Sequence, residues 1–267
     1  MSAQPPLRVE RAGPVARVVL DRPEVRNAFN AELIGALTDA FAALATEAPK
    51  DLRAVVLSGD GPVFCAGADV EWMRAAAAMT LAANEADAGR LATMLETIDT
   101  CPVPVVARVH GAALGGGMGL CAVSDVVVAT AGTTFGFTET RLGILPAVIG
   151  PYAIAKIGES HARALFLPGS RFAAGRAHDI GLVHEVVADE AALDQRVDEL
   201  LEELLAAGPH AVREAKVLIR RLRGQPGAQA RALTVVAIAR QRTSAEGQEG
   251  LAAFLDKRDP SWRREDR

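Results

Sequence analysis

Rings are scarce in this sequence: eight phenylalanines, two tryptophans and one tyrosine among 267 residues. No basic run is interleaved with aromatics, which excludes a nucleic-acid-binding surface as partner. Lysine is nearly absent too. Of 29 basic residues 25 are arginine and four are lysine, beside 52 alanines and 24 glycines, a bias read as GC-rich codon usage rather than chemistry. Cysteine is limited to Cys65, Cys101 and Cys121. An odd count without a C-x-x-C pair argues against a disulfide scaffold or a structural zinc site and for a reducing compartment. No apolar run approaches the roughly 20 residues that span a bilayer, so no membrane partner is expected. Residues 1–13 are polar and hold acid and arginine without an apolar core, so they do not read as a signal peptide. A G-x-S-x-G elbow, an H-E-x-x-H pair and any metal-ligand cluster are missing as well. The five histidines, at 110, 161, 178, 184 and 210, are scattered and read as structural. The expectation is a soluble cytoplasmic protein without a metal or redox cofactor.

Half of the residues are hydrophobic and the net charge is −4, enough apolar material for one large domain or a main domain with an appendage. Residues 14–21 read as a strand ending at Arg22-Pro23. Residues 30–47 read as an amphipathic helix capped by Asn30, with Leu33, Ile34, Leu37, Phe41 and Leu44 at helical spacing. Short apolar runs at 53–58, 103–109 and 125–129 read as buried strands, the first bounded by Gly59 and Gly61-Pro62. Residues 81–100 are Ala-rich and helical, 139–179 hold short helical pieces broken by glycine and proline, and 183–187 read as a last strand. From 189 to 257 the pattern is helical, with breaks near Gly208-Pro209, Gly224 to Gly227 and Ser244. The alternation argues for an α/β fold with parallel strands over 1–188 and a separate helical region over 189–267.

Three stretches are candidates for chemistry. Gly115-Gly116-Gly117-Met118-Gly119 follows a strand and opens a helix. The third glycine comes one place too early for a dinucleotide fingerprint, and Met118-Gly119-Leu120 lacks the Lys-Ser/Thr of a phosphate loop. Two readings stay open: a tight packing turn, or an oxyanion hole in which glycine lets backbone N–H groups meet a carbonyl oxygen at a helix N-terminus. Phe64-Cys65-Ala66-Gly67-Ala68-Asp69 is a second small-residue turn, with Asp69 placed to cap a helix from Val70; Cys65, with no histidine near in sequence, reads as a small buried residue. In the third stretch, residues 135–146, Glu139 sits amid apolar neighbours. It is either an acid in a desolvated pocket with a raised pKa, as acid–base work requires, or a helix N-terminal glutamate in water.

Taken jointly and in this order, these stretches resemble the crotonase superfamily of enoyl-CoA hydratases and isomerases. The resemblance rests on Asp21-Arg22-Pro23-Glu24-Val25-Arg26-Asn27-Ala28, on residues 64–69, on His110-Gly111-Ala112-Ala113-Leu114 through Gly117, on residues 135–146, and on Gly250-Leu251-Ala252-Ala253-Phe254-Leu255-Asp256-Lys257-Arg258. It implies a crotonase-like spiral of repeated β-β-α units followed by a helical trimerisation region, and a homotrimer or a hexamer. It implies an acyl-CoA substrate, with coenzyme A entering only as part of the thioester. Ala68 and Gly116 would supply the oxyanion N–H groups and Glu139 the acid–base. Arg26, Ala28, Ala66, Asp69, Val70 and Glu71 would lie along the CoA, Trp72 against the acyl group, and Phe254 and Lys257 would reach the CoA from the C-terminal region, often from a neighbouring subunit.

The sequence departs from the pattern at one point. Two-acid hydratases carry a further glutamate where Gly119 stands. Hydration needs one group to activate water and one to protonate the α-carbon, whereas moving a double bond from β,γ to α,β needs a single glutamate. The 138–150 and 244–250 stretches are similar to a bacterial branch of hydratases acting on methylglutaconyl- or isohexenylglutaconyl-CoA, which also has glycine at this position. That leans the reading to hydration, with isomerisation or a weakly active acyl-CoA-binding protein as alternatives. A glutaconyl substrate would call for a cation in the acyl pocket, for which Arg74 and Arg141 are the candidates. The lining of the space vacated at Gly119 is the discriminating feature: a carboxylate or water network there favours hydration, an apolar wall isomerisation.

Overall fold

The structure is a computed structural model describing residues 5–48 and 51–263. Its first strand, β1 (Leu7–Ala12), has no counterpart in the sequence reading. Its pattern is almost wholly exposed, because it is the sheet's outer strand. Pairing antiparallel to β2 (Val15–Leu20) takes backbone hydrogen bonds but no apolar period, and its charged side chains blunt the open edge. Next comes α1 (Ala31–Glu47), where the Asn30 side chain accepts the Leu33 N–H at 2.9 Å and the five apolar positions named above are buried.

The chain then repeats one device. A strand joins the main sheet, a short stretch joins a second, smaller sheet, and a helix follows. In the first turn these are β3 (Ala54–Gly59), a bridge from Cys65 to Ala113, and the helices α2 (Val70–Ala77) and α3 (Leu81–Asp99). In the second they are β4 (Val105–Val109), β5 (Ala112–Leu114) and α4 (Gly116–Val123). In the third they are β6 (Val126–Thr130), β7 (Thr134–Gly136), a 3-10 turn at Glu139–Leu142 and α5 (Gly150–Phe166). The small sheet closes with β8 (Arg171–Ala173), the chain turns through α6 (Ala174–Asp179), and β9 (Glu185–Val187) ends the main sheet. The main sheet runs β1-β2-β3-β4-β6-β9, all parallel from β2 onward; the small one runs β5-β7-β8. The short strands β5 and β7 escaped the sequence reading because three residues are too few to show a period.

Four helices complete the described chain: α7 (Glu190–Ala206), α8 (Pro209–Leu222), α9 (Gly227–Thr243) and α10 (Ala245–Leu255). All three breaks expected in this region fall between them. The region divides by packing. α7 lays Leu193, Val197, Leu200 and Leu201 against Val15, Ala54, Val56, Val106 and Val128, covering one face of the main sheet. The other face carries the larger core, from α1 through α4 and α5. By contrast α8 and α9 bury no residue and α10 only Ala253.

Candidate active site

Three turns meet because backbone hydrogen bonds stitch them. The 64–65 segment is tied to the second turn of the spiral by Cys65 N to Ala112 O at 3.0 Å and Leu114 N to Cys65 O at 3.0 Å. Gly115 N then donates to Gly136 O at 2.9 Å, which brings the chain leading to Glu139 alongside. The Arg26–Ala28 turn is tied to the same place: Ala66 N donates to Arg26 O, Phe29 N to Gly67 O and Asp69 N to Phe29 O. The Cys65 thiol donates to Asn27 O at 3.2 Å, and burial pushes it up to about 12, so it is a packing residue as read from sequence.

Gly115 precedes α4 with φ +48° and ψ −113°, a conformation open to glycine. At Gly116 the reason for glycine is contact: a Cβ there would stand 2.6 Å from the Phe29 ring. Neither the Ala68 nor the Gly116 N–H donates to an acceptor among the described residues. Both residues line a cavity of about 390 Å³ together with Phe29, Ala66, Trp72 and Glu139. Two unengaged N–H groups at one cavity, one of them at a helix N-terminus, can hold a carbonyl oxygen that is gaining charge.

Glu139 begins the 3-10 turn, but its carboxyl lines the cavity rather than standing in water, which is the desolvated-pocket reading and not the solvated one. Oε1 lies 3.5 Å from where a Cβ on Gly115 would be. Oε2 is buried and without a hydrogen-bond partner among the described residues. Burial pushes its pKa above the ordinary glutamate value, with its own backbone N–H pulling the other way. Most of the remaining wall is apolar, with Leu91 of α3, then Leu142, Ile144, Leu145 and Val148 around the 3-10 turn, and Thr138 adds a hydroxyl beside Glu139. Trp72 lines it too, with its indole N–H buried and without a partner among the described residues.

The atoms nearest to the missing Gly119 side chain are apolar. A Cβ there would lie 2.6 Å from Ile149 Cγ2 and 3.4 Å from Leu95 Cδ2. The missing second carboxylate is replaced by an apolar wall contributed from the residue before α5 and from α3. Ile149 is a residue that sequence reasoning did not single out, since its meaning depends on the fold bringing it over Gly119.

Arg22 is the second such residue. Its guanidinium donates to Asp69 Oδ2 at 2.9 Å and to the Ala28 carbonyl, bracing both sides of the Ala68 turn. Asp69 caps α2 as expected, accepting the Glu71 N–H at 2.8 Å. Burial works to raise the Asp69 pKa, but Arg22 and the N–H groups of Glu71 and Trp72 outweigh it and hold it below the ordinary aspartate value.

The remaining expected residues lie outside the cavity. Arg26 is exposed and Ala28 buried at the first turn, while Val70 and Glu71 are exposed at the start of α2. Phe254 and Lys257 are exposed at the end of α10 and are not among the lining residues. Arg74 pairs with Glu71, and Arg141 donates to Pro168 O and Ser170 Oγ. The described lining residues include no cation. Two histidines serve the backbone: buried His110, whose Nε2 lies 2.8 Å from Gly61 O, and His184, whose Nδ1 accepts the Val127 N–H. No described helix is long and apolar enough to cross a membrane.

The strand–turn–helix spiral thus gathers two unengaged N–H groups and one desolvated carboxylate around one cavity walled mostly by apolar side chains. The enoyl-CoA hydratase/isomerase family model matches residues 10–265. Pseudomonas aeruginosa AtuE is 40% identical, with TM-score 0.91 over 96% of this chain and 99% of that one. An enoyl-CoA hydratase from Shewanella pealeana is 35% identical, with TM-score 0.91 over 96% of each chain. The human mitochondrial enoyl-CoA hydratase domain-containing protein 2 is 32% identical over 263 residues, 94% of this chain and 87% of that protein. The chain belongs to the enoyl-CoA hydratase/isomerase family of the crotonase superfamily.

Proposed function

We propose that this protein shifts the double bond of an enoyl-CoA thioester, with Glu139 as its single acid–base group. The observation that carries this reading is the wall of Ile149 and Leu95 where a second carboxylate would stand. In the proposed reaction the Ala68 and Gly116 N–H groups hold the thioester oxygen of a 3-enoyl-CoA. Glu139 removes a proton from the α-carbon. The C–H electron pair becomes a dienolate whose negative oxygen lies in the N–H site, and the β,γ bond moves to α,β as Glu139 returns the proton to the γ-carbon. One carboxylate serves both transfers, and its raised pKa makes the ionised form a stronger base for taking up the proton it then returns. Only protons move, so the chemistry asks for no redox cofactor; coenzyme A enters as the thioester part of the substrate. Arg26, Ala28, Ala66, Asp69, Val70 and Glu71 form the backbone track for the CoA, with Phe254 and Lys257 brought in from a neighbouring subunit of a trimer or hexamer.

Hydration is the second reading. It is favoured by the names of relatives, several of which are called enoyl-CoA hydratases, and by the branch resemblance at the glycine position. It requires Glu139 to activate water and then protonate the α-carbon by itself. A glutaconyl substrate has less support, because neither Arg74 nor Arg141 lines the cavity. The test is kinetic. Glu139→Gln is expected to slow turnover of 3-enoyl-CoA by about 10²–10⁴, the usual reach of general acid–base catalysis, with the circular dichroism spectrum unchanged. Parent-like turnover in that variant overturns the assignment.

A further inference from the structure

The helix that presents Gly116 is unusual at its other end. α4 is eight residues long, about 12 Å at 1.5 Å per residue, and has no acid in its first turn or base in its last. It is buried, so its terminal carbonyls need partners from elsewhere. Leu120 O accepts the Ser124 N–H and hydroxyl at 3.2 and 2.8 Å. Of the carbonyls that follow, Cys121 O and Ser124 O both accept from Lys156 Nζ, at 3.0 and 2.5 Å.

Lys156 stands on α5, two turns beyond the Ile149 that covers Gly119. We infer that Lys156 is a positioning residue for the oxyanion site: its ammonium holds the carbonyl end of α4 and adds positive potential along the helix that ends in the Gly116 N–H. This rests on the oxyanion role proposed above for Gly116. Two features separate Lys156 from an ordinary structural lysine. Its ammonium is spent on backbone carbonyls and has no carboxylate within salt-bridge distance among the described residues. The acids near it are engaged by other cations: Asp125 by Lys216 at 2.6 Å and Asp99 by Arg220 at 3.5 Å. Its charge is therefore not cancelled locally, and the buried path to the cavity screens it weakly.

The same surroundings make the charge titratable. Lys156 lines a second cavity, of about 440 Å³, between the end of α4 and α8, which gives protons a route in. Burial pushes Lys156 down to about 8. The groups facing it are the Cys121 thiol, itself pushed up to about 12, Asp125, Asp99, Lys216 and His184. Burial and the Lys156 charge hold His184 below the ordinary histidine value, so neither it nor the thiol changes charge near pH 8.

The test joins rate to a spectroscopic signature. A saturated acyl-CoA labelled with ¹³C at the carbonyl is bound, and the infrared carbonyl band is followed beside kcat and KM for 3-enoyl-CoA. Relative to the parent, Lys156→Met should lower kcat about tenfold, the size expected for one charge acting over this distance at an effective dielectric near 20. KM should stay within twofold, and the binding-induced downshift of the carbonyl band should shrink. Lys156→Arg should restore both. In the unaltered protein kcat and the downshift should fall together as pH rises through about 8; this pH series carries the test if Lys156→Met fails to fold. An unchanged carbonyl band in a folded Lys156→Met variant, or none of this pH dependence in the parent, overturns the inference. A parent that shows no downshift with any thioester removes the oxyanion reading itself, and this inference with it.

Discussion

Glu139 and Gly119 carry opposite lessons about single residues. Glu139 was legible in the sequence because an acid among apolar neighbours has few uses. Its raised pKa has a definite sign in two measurements. The ionised form does the proton abstraction, so kcat/KM should fall on acidification at a pH above the ordinary glutamate value of 4.5, and Glu139→Gln should abolish that limb. Burying the ionised carboxyl also costs stability once pH exceeds the unfolded value, and below that value the cost is absent. The same variant should therefore be more resistant to urea than the parent at pH 7, and the gap should close in acid. Gly119 was legible only as an anomaly. What fills the space came from Ile149, 30 positions away in sequence. Gly119→Ala should destabilise by about 1–3 kcal/mol through overpacking, since its Cβ would stand 2.6 Å from Ile149 Cγ2. Gly119→Glu should lose at least as much and gain no hydration of 2-enoyl-CoA. A stable Gly119→Ala variant in denaturant titration would show that Ile149 yields.

At the scale of elements, long periodic segments were readable and short paired ones were not. The caps at Asn30 and Asp69 and the breaks at Gly208, at Gly224 to Gly227 and at Ser244 fall where local chemistry puts them. The strands β1, β5 and β7 depend on partners rather than on a period of their own, so nothing local announced them. The brace from Arg22 to Asp69 and Ala28 was invisible for the same reason: it links positions 47 apart. Arg22→Met should cost about 3 kcal/mol, the scale for stranding one member of a largely buried ion pair, and lower kcat by displacing the Ala68 turn. Because Asp69 is held below its ordinary value, the pair's contribution is present above an unfolded pKa of about 3.9 and is lost as pH falls through the depressed folded one. The stability gap between parent and Arg22→Met should narrow below pH 4 in urea titrations; a gap independent of pH would assign the loss to packing alone.

At the scale of the whole molecule, the main sheet and its two covered faces form a complete core, while α8, α9 and α10 do not. Ile219, Leu251, Phe254 and Leu255 are 70, 50, 81 and 76% exposed. A groove of about 560 Å³ lined by Val217, Leu233 and Val236 runs between α8 and α9, away from the turns of the site. Surfaces of this kind mark association, in line with the proposed trimer or hexamer. Sedimentation equilibrium should return a mass that is a multiple of three chains, and Phe254→Asp should lower it; a parent that sediments as a monomer contradicts this. In the proposed reaction one carboxylate, Glu139, moves a double bond rather than adds water. The most direct measurement of this is turnover of a 3-enoyl-CoA in ¹⁸O-labelled water, with products resolved by mass. The expected product is the 2-enoyl-CoA, formed at the rate of substrate loss and free of ¹⁸O. A 3-hydroxyacyl-CoA carrying ¹⁸O as the main product would contradict it.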